Sequence, residues 1–262
     1  MSWLRLMEER IKQEHEHPHK NGGTTPHKRK NRVMELIVEM WPAYLIEILV
    51  IILGIWVTMA FEQWRESRKE MEVEKVYQKN LLADINDDIV SLKYAIDNTQ
   101  ILLDRGNELL NYIDDPGKNP VTTAKADSDI KEILSRPKFM THDATFSDLK
   151  SSGNLRLLKD ISLKNLLFSY YSEAEGVKGL QDAEQQTTIV VAGPYFMKHF
   201  PLANIGKLAL TTQQLQNLVT DVEFGNNLLL RKHNRDELLE GYQKANKLAV
   251  ELKKELEERA KE

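Results

Sequence analysis

Residues 36–61 read LIVEMWPAYLIEILVIILGIWVTMAF, a long and almost uninterrupted apolar run. From Trp41 to Phe61 its only charged side chain is that of Glu47. These residues rise about 31 Å as an α-helix, which matches the bilayer core of about 30 Å. Backbone groups in lipid have no water to bond, so a spanning segment must be helical. The sequence therefore predicts a transmembrane helix over residues 35–64, with a buried core helix of a soluble domain as the alternative.

The flanks of this segment are typical of an uncleaved signal anchor. The apolar run is longer than that of a signal peptide, and the residues that follow it, FEQWRESRKE, contain no small-x-small cleavage site. Lys and Arg are more numerous before the segment than after it, which favours a cytoplasmic N-terminus and an external C-terminal domain. Pro42 is placed in the first turn of the helix, where its missing N–H matters little.

The composition of the whole chain excludes several classes of protein. The 262 residues include 40 acidic and 36 basic side chains and no cysteine. A strongly basic nucleic-acid-binding protein, a disulfide scaffold, a thiolate metal site and a cysteine nucleophile are therefore excluded. The sequence also lacks a phosphate-binding loop, a dinucleotide-binding motif and a G-x-S-x-G elbow. We expect no enzyme activity, no catalytic residue, no cofactor, no metal site and no nucleic-acid partner.

Residues 65–115 are predicted to form a long helical rod that continues the transmembrane helix. Proline is absent from this range, and apolar residues recur at alternating spacings of three and four. This pattern is typical of a coiled coil or a long helical hairpin. The sequence Asp-Asp-Pro-Gly at 114–117 is expected to end the rod. The predicted buried seam consists of Leu82, Ile85, Ile89, Leu92, Ile96, Thr99, Leu103, Gly106, Leu110 and Ile113.

Residues 116–220 are predicted to form a small helical head. Its first part begins with a loop over residues 121–127 and a short helix over 128–135. A second short helix is expected over 144–152, with Gly153 in the left-handed conformation that ends many helices.

The later part of the head is predicted to contain a longer helix. Ser162 is expected to cap it, and it should run to about Ala192, where the Gly-Pro pair at 193–194 interrupts it. A further helix is expected to start at Thr211 or Thr212.

The last segment, 221–262, is predicted to be one amphipathic helix that begins near Asn226. Its expected partner is the rod, packed antiparallel. Strand-like alternation occurs only at 187–191, inside a helical context, so the predicted fold class is all-α. The predicted buried positions are Leu238, Tyr242, Ala245, Ala249, Leu252 and Leu256.

Residues 1–34 are predicted to be a partly disordered cytoplasmic tail, in which 1–13 has the spacing of a short amphipathic helix. Residues 15–19 read HEHPH, which matches the H-E-x-x-H pattern of zinc peptidases. That chemistry needs both histidines one turn apart on a rigid helix, and Pro18 would break such a helix. A polar tail is the preferred interpretation, with loose metal binding by His15, His17 and His19 as the alternative.

Two further features are candidate functional groups. Glu47 is an ionisable residue inside the predicted span, where it would contact another helix, be tolerated near the interface, or couple to ions. Asp84, Asp87 and Asp88 cluster near the start of the rod, and Asp97 follows. A solvated charged face is the interpretation that we prefer to a metal site for these aspartates.

Two stretches resemble a known family when taken together. The first comprises IEI at 46–48, GI at 54–55, EQWRE at 62–66 and EKVYQKNL at 74–81. The second is ATFSDLKSSGNLRL at 144–157. They resemble a domain-of-unknown-function family of bacterial single-span membrane proteins, familiar from the Bacteroidota, in which a T-F-x-D-L-K-x-x-G-N-L segment recurs. The resemblance implies a bacterial single-span membrane protein, and the family has no assigned activity to carry over. Together with the distribution of basic residues, it predicts an inner-membrane location with the C-terminal domain in the periplasm.

The second stretch also has a purely physical interpretation. Thr145 or Asp143 can cap a helix, Phe146 and Leu149 can be buried, and Gly153 allows a left-handed turn. A structural helix–turn is the preferred interpretation, and a ligand or partner site is the alternative.

These observations predict a membrane-anchored helical scaffold or interaction protein of the bacterial envelope. Its expected partners are the lipid bilayer and either further copies of itself or other envelope proteins. A sensory or regulatory subunit that signals through a continuous helix is the alternative.

Overall fold

The computed structural model describes residues 27–200 and 210–259, with side chains from Trp41 onward. Within this part of the chain every regular element is a helix, which confirms the all-α prediction. The two predictions for the N-terminal tail, the amphipathic helix and the HEHPH pattern, lie outside the described residues. The chain divides into two compact units, Met1–Glu66 and Ser67–Glu262, close to the predicted boundary between residues 64 and 65.

Helix α1 spans His27–Asp114 without a break. Pro42 therefore lies inside the helix, and its predicted place in the first turn is wrong; the ring removes one backbone hydrogen bond there. Among the described residues one helix is long and apolar enough to cross a membrane. The side chains of its apolar stretch are exposed, so it is not the buried core helix of the alternative interpretation.

Three long helices form the core of the unit Ser67–Glu262. They are the later part of α1, helix α4 (Ile161–Thr187) and helix α7 (Val222–Arg259). Helices α4 and α7 run antiparallel, since Arg259 bonds Asp160 at one end and Asn234 bonds Thr187 at the other. All six predicted buried positions of the last helix are buried, which confirms that seam.

The buried seam of α1 is partly in a different register from the predicted one. Ile85, Leu92, Thr99 and Gly106 are buried as expected, and Leu103 is buried as well. At the other predicted positions the residue one place earlier is the more deeply buried, as at Asp88 in place of Ile89. An apolar pattern favours the isoleucine, whereas the fold buries an aspartate that is fully hydrogen-bonded. The observed seam consists of Leu81, Ile85, Asp88, Leu92, Ala95, Thr99, Leu102, Gly106 and Leu109.

The residues between α1 and α4 pack alongside α1. They contain helix α2 (Thr123–Ile133), helix α3 (Ala144–Ser151) and a 3₁₀ turn at Asn154–Arg156. Successive contacts join them to earlier and earlier positions of α1: Asp129 to Arg105, His142 to Asp88, and Asp148 to Tyr77. This segment therefore belongs to the same compact unit as the rod and is not a separate head.

Local capping explains where several of these helices begin. Thr122 caps α2, so that helix starts inside the predicted loop, and that prediction is wrong. Asp160 caps α4 by accepting from the backbone N–H groups of Ser162 and Leu163, so the cap lies two residues before the predicted Ser162. The predicted end of α3 is confirmed, because Gly153 has a φ of 74°.

The Gly-Pro pair at 193–194 does not interrupt the helical path as predicted. Helix α4 passes into a π-helical turn at Thr188–Ala192 and then into helix α5 (Gly193–His199). The backbone N–H of Gly193 donates to the Thr188 carbonyl, and a Cβ at Gly193 would lie only 2.9 Å from that oxygen. Glycine is therefore required for this turn.

The final two helices follow the residues that the structure does not describe. Helix α6 (Thr212–Val219) starts at Thr212, one of the two predicted starts, and Thr211 is its N-cap, with a capping box between Thr211 and Gln214. Helix α7 begins at Val222, four residues before the predicted Asn226.

Two hydrophobic cores lie within the unit Ser67–Glu262. The first contains Leu81 to Ala95 of α1, most of α4 and the later half of α7. The second contains the end of α1 with α2, α5, α6 and the start of α7. Along all three long helices the residues between the two cores include buried polar groups. These are Thr99, Glu184, Arg231 and Arg235, which we call the polar layer.

Candidate functional site

The candidate residues predicted from the sequence do not come together in one site. Glu47 is exposed on α1, and Asp87 and Asp97 are also exposed. Asp84 is half-buried and Asp88 is completely buried, so the predicted solvated face is wrong for Asp88. In the part of the chain that the structure describes, histidine and acidic side chains form no group of three or more able to hold a metal ion.

Asp88 is the centre of a buried hydrogen-bond network. Its Oδ1 accepts from the backbone N–H of His142 at 2.9 Å and lies 2.8 Å from His142 Nδ1. Its Oδ2 accepts from the hydroxyl of Tyr170 at 2.5 Å. The neighbouring Tyr171 donates to the carbonyl of His142 at 3.3 Å. One carboxylate of α1 therefore fixes both the loop before α3 and the middle of α4.

The electrostatics of this network follow from one buried negative charge. The hydrogen bond to Asp88 raises the pKa of His142, with further contributions from Asp87 and Asp84. Burial, together with the hydrogen bond to Asp88, raises the pKa of Tyr170 far above its ordinary value. His142 remains half exposed, so its ring can exchange protons with solvent while Tyr170 stays neutral.

The Asp88–His142 pair resembles two members of a catalytic triad without a third. A nucleophile would need a hydroxyl or thiol bonded to the other ring nitrogen, Nε2. No described side chain makes a hydrogen bond to that nitrogen. What the structure shows is that the contacts of Asp88 to the backbone N–H and the ring Nδ1 of His142 join the loop before α3 to α1.

An open groove of about 450 Å³ lies beside the Asp88 network. Phe146 and Tyr171 stack face to face within its lining, with ring centroids 4.2 Å apart, and Phe168 meets Phe146 edge to face. Charged groups of both signs border these rings, and Lys150 lies 5.4 Å above the Phe146 ring. The volume is within the range of sites that hold small ligands or peptide side chains. The lining residues are Thr141, Asp143, Phe146, Ser147, Lys150, Phe168, Tyr171, Ser172, Ala174 and Glu175.

The two stretches that carry the family resemblance contact one another through Tyr77. The Tyr77 hydroxyl donates to Asp148 at 2.6 Å and accepts from Asn154 at 2.9 Å. Phe146 and Leu149 are buried, as the sequence predicts. Asp143 occupies the predicted capping position of α3, although its side chain makes no capping hydrogen bond. Residues of the T-F-x-D-L-K-x-x-G-N-L segment therefore hold α3 against α1 through hydrogen bonds to Tyr77. Lys150 of the same segment lines the groove.

The polar layer is the second unusual site. Arg231 and Glu184 form an ion pair with Nη2 and Oε1 3.1 Å apart, and both side chains are almost fully buried. Arg231 also donates to the Thr188 hydroxyl of the π-helical turn at 2.7 Å. Arg235 donates to the backbone carbonyls of Ile133 and Ser135. The layer thus joins α2, α4, the π-helical turn and α7.

The buried positions predicted from the sequence do not include Asp88, His142, Glu184, Arg231 or Arg235. A signal for three of them is present in the spacing. The buried seam of α7 continues towards its N-terminus at alternating spacings of three and four through Leu238, Arg235, Arg231 and Leu228. Asp88 likewise lies on the buried seam of α1, three residues after Ile85 and four before Leu92. A charged residue at a seam position indicates a buried ionic contact.

Comparison of the chain with protein-family models, with curated proteins and with solved structures finds no match. The resemblance to a family of bacterial single-span proteins therefore stays a prediction.

Proposed function

We propose that this protein is a membrane-anchored helical interaction protein of the bacterial envelope, and that it binds a partner through the groove beside the Asp88 network. The groove carries the proposal, because it is a large concave surface with an aromatic wall and charged edges. Phe168 at its edge has 45% of its surface exposed in a unit whose other phenylalanines are largely buried. Interaction sites in proteins typically combine such aromatic groups with a polar rim.

The membrane anchor in this proposal is the apolar part of α1. Its exposed apolar side chains would be costly in water and are suited to lipid. We place the anchor in the inner membrane as a single span with the N-terminus in the cytoplasm and the C-terminal unit in the periplasm. The excess of basic residues before the span supports this orientation.

The absence of cysteine allows a direct test of the orientation. We expect a Lys254→Cys variant to react with a membrane-impermeant maleimide in intact spheroplasts, and a Ser2→Cys variant to react only after permeabilisation. The opposite pattern of labelling would reverse the proposed orientation. Labelling of both variants in intact spheroplasts would contradict a single span.

Partner binding is tested by photo-crosslinking in native membranes. Deleting residues 116–220 would not be a clean test of binding, because it removes α4 and its core residues and would unfold the unit. Instead, a photoreactive amino acid replaces Phe168, and the control carries it at Leu229, which is 55% exposed and does not line the groove. We expect a discrete adduct from position 168 that a Lys150→Glu substitution weakens. Equal adducts from both positions, or none from position 168, would refute binding at the groove.

Glu47 gives a separate test of self-association. We propose that this carboxyl contacts a second copy of the span, since an ionisable group in a bilayer favours a polar partner. Replacing Glu47 with Leu is expected to reduce dimerisation of the full chain in membranes. Unchanged self-association would eliminate that contact and leave a tolerated carboxyl near the interface.

The alternative function, a sensory or regulatory subunit, draws on one observation. Helix α1 runs unbroken from His27 to Asp114, so a continuous element joins the residues before the span to the C-terminal unit. If signalling is the function, deleting residues 1–26 should abolish an output while leaving the adduct at position 168 intact.

A further inference from the structure

The groove beside the Asp88 network lies between two helices that run in opposite directions. Phe146 of α3 stacks on Tyr171 of α4 and meets Phe168 of α4 edge to face. Tyr171 also donates to the carbonyl of His142, which precedes α3. Earlier positions of α3 therefore lie beside later positions of α4, and later positions of α3 lie beside earlier positions of α4.

This arrangement separates the charges that line the groove by their sign. Asp143, the N-cap of α3, and Lys150 are seven residues apart, which corresponds to about 10 Å of helix. Glu175 lines the groove on α4, seven residues after Phe168, and therefore lies towards the Asp143 end. The groove thus has an acidic end, an aromatic middle and a basic end.

Further negative charge acts on the acidic end. Burial raises the pKa of Tyr171, and Asp84 and Asp143 are among the carboxylates whose negative charge raises it further. The side chain of Glu175 is 76% exposed, and its contact with Lys178 of the same helix is 3.6 Å long. Most of this carboxylate is therefore accessible to a ligand.

The basic end carries a positive charge without a counter-charge. Lys150 Nζ lies 5.4 Å from the centroid of the Phe146 ring, and no carboxylate in the described part of the chain forms an ion pair with it. A ligand that matches both ends needs a cationic group, an apolar group and an anionic group in that order. Its two charges must be about 10 Å apart, which is the length of seven residues of helix.

We propose that the groove binds an extended segment of a partner protein in which a basic and an acidic residue are three positions apart, with an apolar side chain between them. In the polyproline II conformation three residues rise about 9 Å and return to the same face. Segments of this kind bind aromatic-lined grooves in other proteins. A single zwitterionic lipid headgroup is too short to reach both ends, and a neutral saccharide supplies neither charge. The inference rests on the partner-binding function proposed for the groove and specifies the chemistry of the partner.

The binding of four synthetic peptides to the full chain in detergent tests this chemistry, with fluorescence anisotropy as the measurement. The peptides share one proline-flanked sequence with a leucine in the middle. Their two variable positions, three apart, carry Arg and Glu, Arg and Arg, Glu and Glu, or Gln and Gln. We expect the Arg–Glu peptide to bind most tightly, because it alone pairs with both ends of the groove. Equal or tighter binding of any other peptide would overturn the proposal.

Variants of the groove assign each charge of the peptide to one end. Replacing the peptide's Glu with Gln should weaken binding to the native chain about two- to fivefold, which is the range for an exposed charge pair. The same replacement should have no effect on binding to a Lys150→Gln variant. Replacing the peptide's Arg with Gln should weaken binding to the native chain and to Lys150→Gln, but not to the double variant Asp143→Asn, Glu175→Gln.

The exposure of the three substituted side chains makes loss of folding a minor concern, and Asp143 makes no capping hydrogen bond. Lys254→Gln is the matched control, because Lys254 is 78% exposed on α7 and does not line the groove. Both losses of affinity should persist in this control. Losses of the same size in every variant would refute the assignment of the peptide's charges to the two ends.

Photo-crosslinking from position 168 separates failure of this inference from failure of the proposed function. If the adduct forms but none of the four peptides binds, the groove has a partner and an extended peptide is refuted as its ligand. An adduct that contains no protein would refute the peptide in the same way and would indicate a glycan or a lipid. If neither the adduct nor peptide binding is observed, the proposed function fails as well.

Discussion

Asp88 and His142 are 54 positions apart in the sequence, yet one carboxylate oxygen of Asp88 contacts both the backbone N–H and the ring Nδ1 of His142. The other carboxylate oxygen accepts from Tyr170 on a third segment of the chain. A side chain of α1 with no exposed surface thus fixes one edge of the groove. The buried charge is tolerated because every contact to it comes from a hydrogen-bond donor.

The first prediction concerns the hydrogen bond between Tyr170 and Asp88. Tyr170→Phe preserves the ring but leaves a buried carboxylate oxygen without its donor. We expect the free energy of unfolding to fall by about 1–3 kcal/mol, as measured by chemical denaturation of the full chain in detergent. Tyr94→Phe is the control, because Tyr94 is 63% exposed, and it should change the stability by less than about 0.5 kcal/mol. Equal effects of the two variants would contradict the importance of the network.

The second prediction concerns the dependence of stability on pH. Asp88 raises the pKa of His142 in the folded state above its ordinary value of 6.5. Protonated His142 therefore favours folding, and this contribution is complete below the unfolded-state pKa and disappears as the pH rises through the folded-state pKa. Denaturant unfolding across this window should show stability decreasing with increasing pH, and His142→Gln should remove that component of the slope.

His233 provides the control for the pH experiment. Its ring is exposed on α7 and faces Glu237 of the same helix at 3.5 Å. His233→Gln should leave the His142 component of the pH profile in place. If His142→Gln and His233→Gln change the profile equally, a general charge effect and not the Asp88 contact would be responsible.

The sequence contained enough information for the fold class but not for the register of the rod. Alternating spacings of three and four identified the helical period in both α1 and α7. In α7 the seam after Leu238 consists of apolar or small residues, and it was predicted correctly. In α1 the fold buries Asp88 and Ala95, while the more hydrophobic Ile89 and Ile96 lie beside the seam. Pattern matching on apolarity alone therefore selects the wrong neighbour where a polar or small residue is buried.

The candidate site was harder to predict because its contacts are distant in sequence. Tyr77 and Asn154 belong to two stretches that were recognised together, but nothing local indicates that they contact each other. The partners of Asp88 come from a loop and from the middle of α4. Such pairings depend on how the segment between α1 and α4 is folded alongside α1, which no short pattern encodes.

The third prediction compares two glycines at which substitution by alanine should have opposite effects on stability. Gly153 has a φ of 74°, so Gly153→Ala forces an L-residue into a left-handed conformation and should cost about 1–2 kcal/mol of unfolding free energy. Gly179 is helical, exposed and without a neighbour near its absent Cβ. Gly179→Ala should therefore raise the stability by about 0.5–1 kcal/mol. Denaturant midpoints of both variants test this difference in sign, and a loss of stability in Gly179→Ala would contradict the described geometry of α4.

The fourth prediction concerns a tight contact between α4 and α7 at Gly241. A Cβ at Gly241 would lie 3.1 Å from Leu180 Cδ1 and 3.3 Å from Val177 Cγ2, so little space exists for a larger side chain. Gly241→Val should overpack this contact and lower the unfolding free energy by about 1–3 kcal/mol. Gly225, on the same helix, has no atom within 4 Å of its absent Cβ, and Gly225→Val is the matched control. Because both variants gain the same side chain, a helix-propensity effect would shift their thermal midpoints equally. We expect only Gly241→Val to lower the midpoint, since its added methyl groups meet a neighbouring helix.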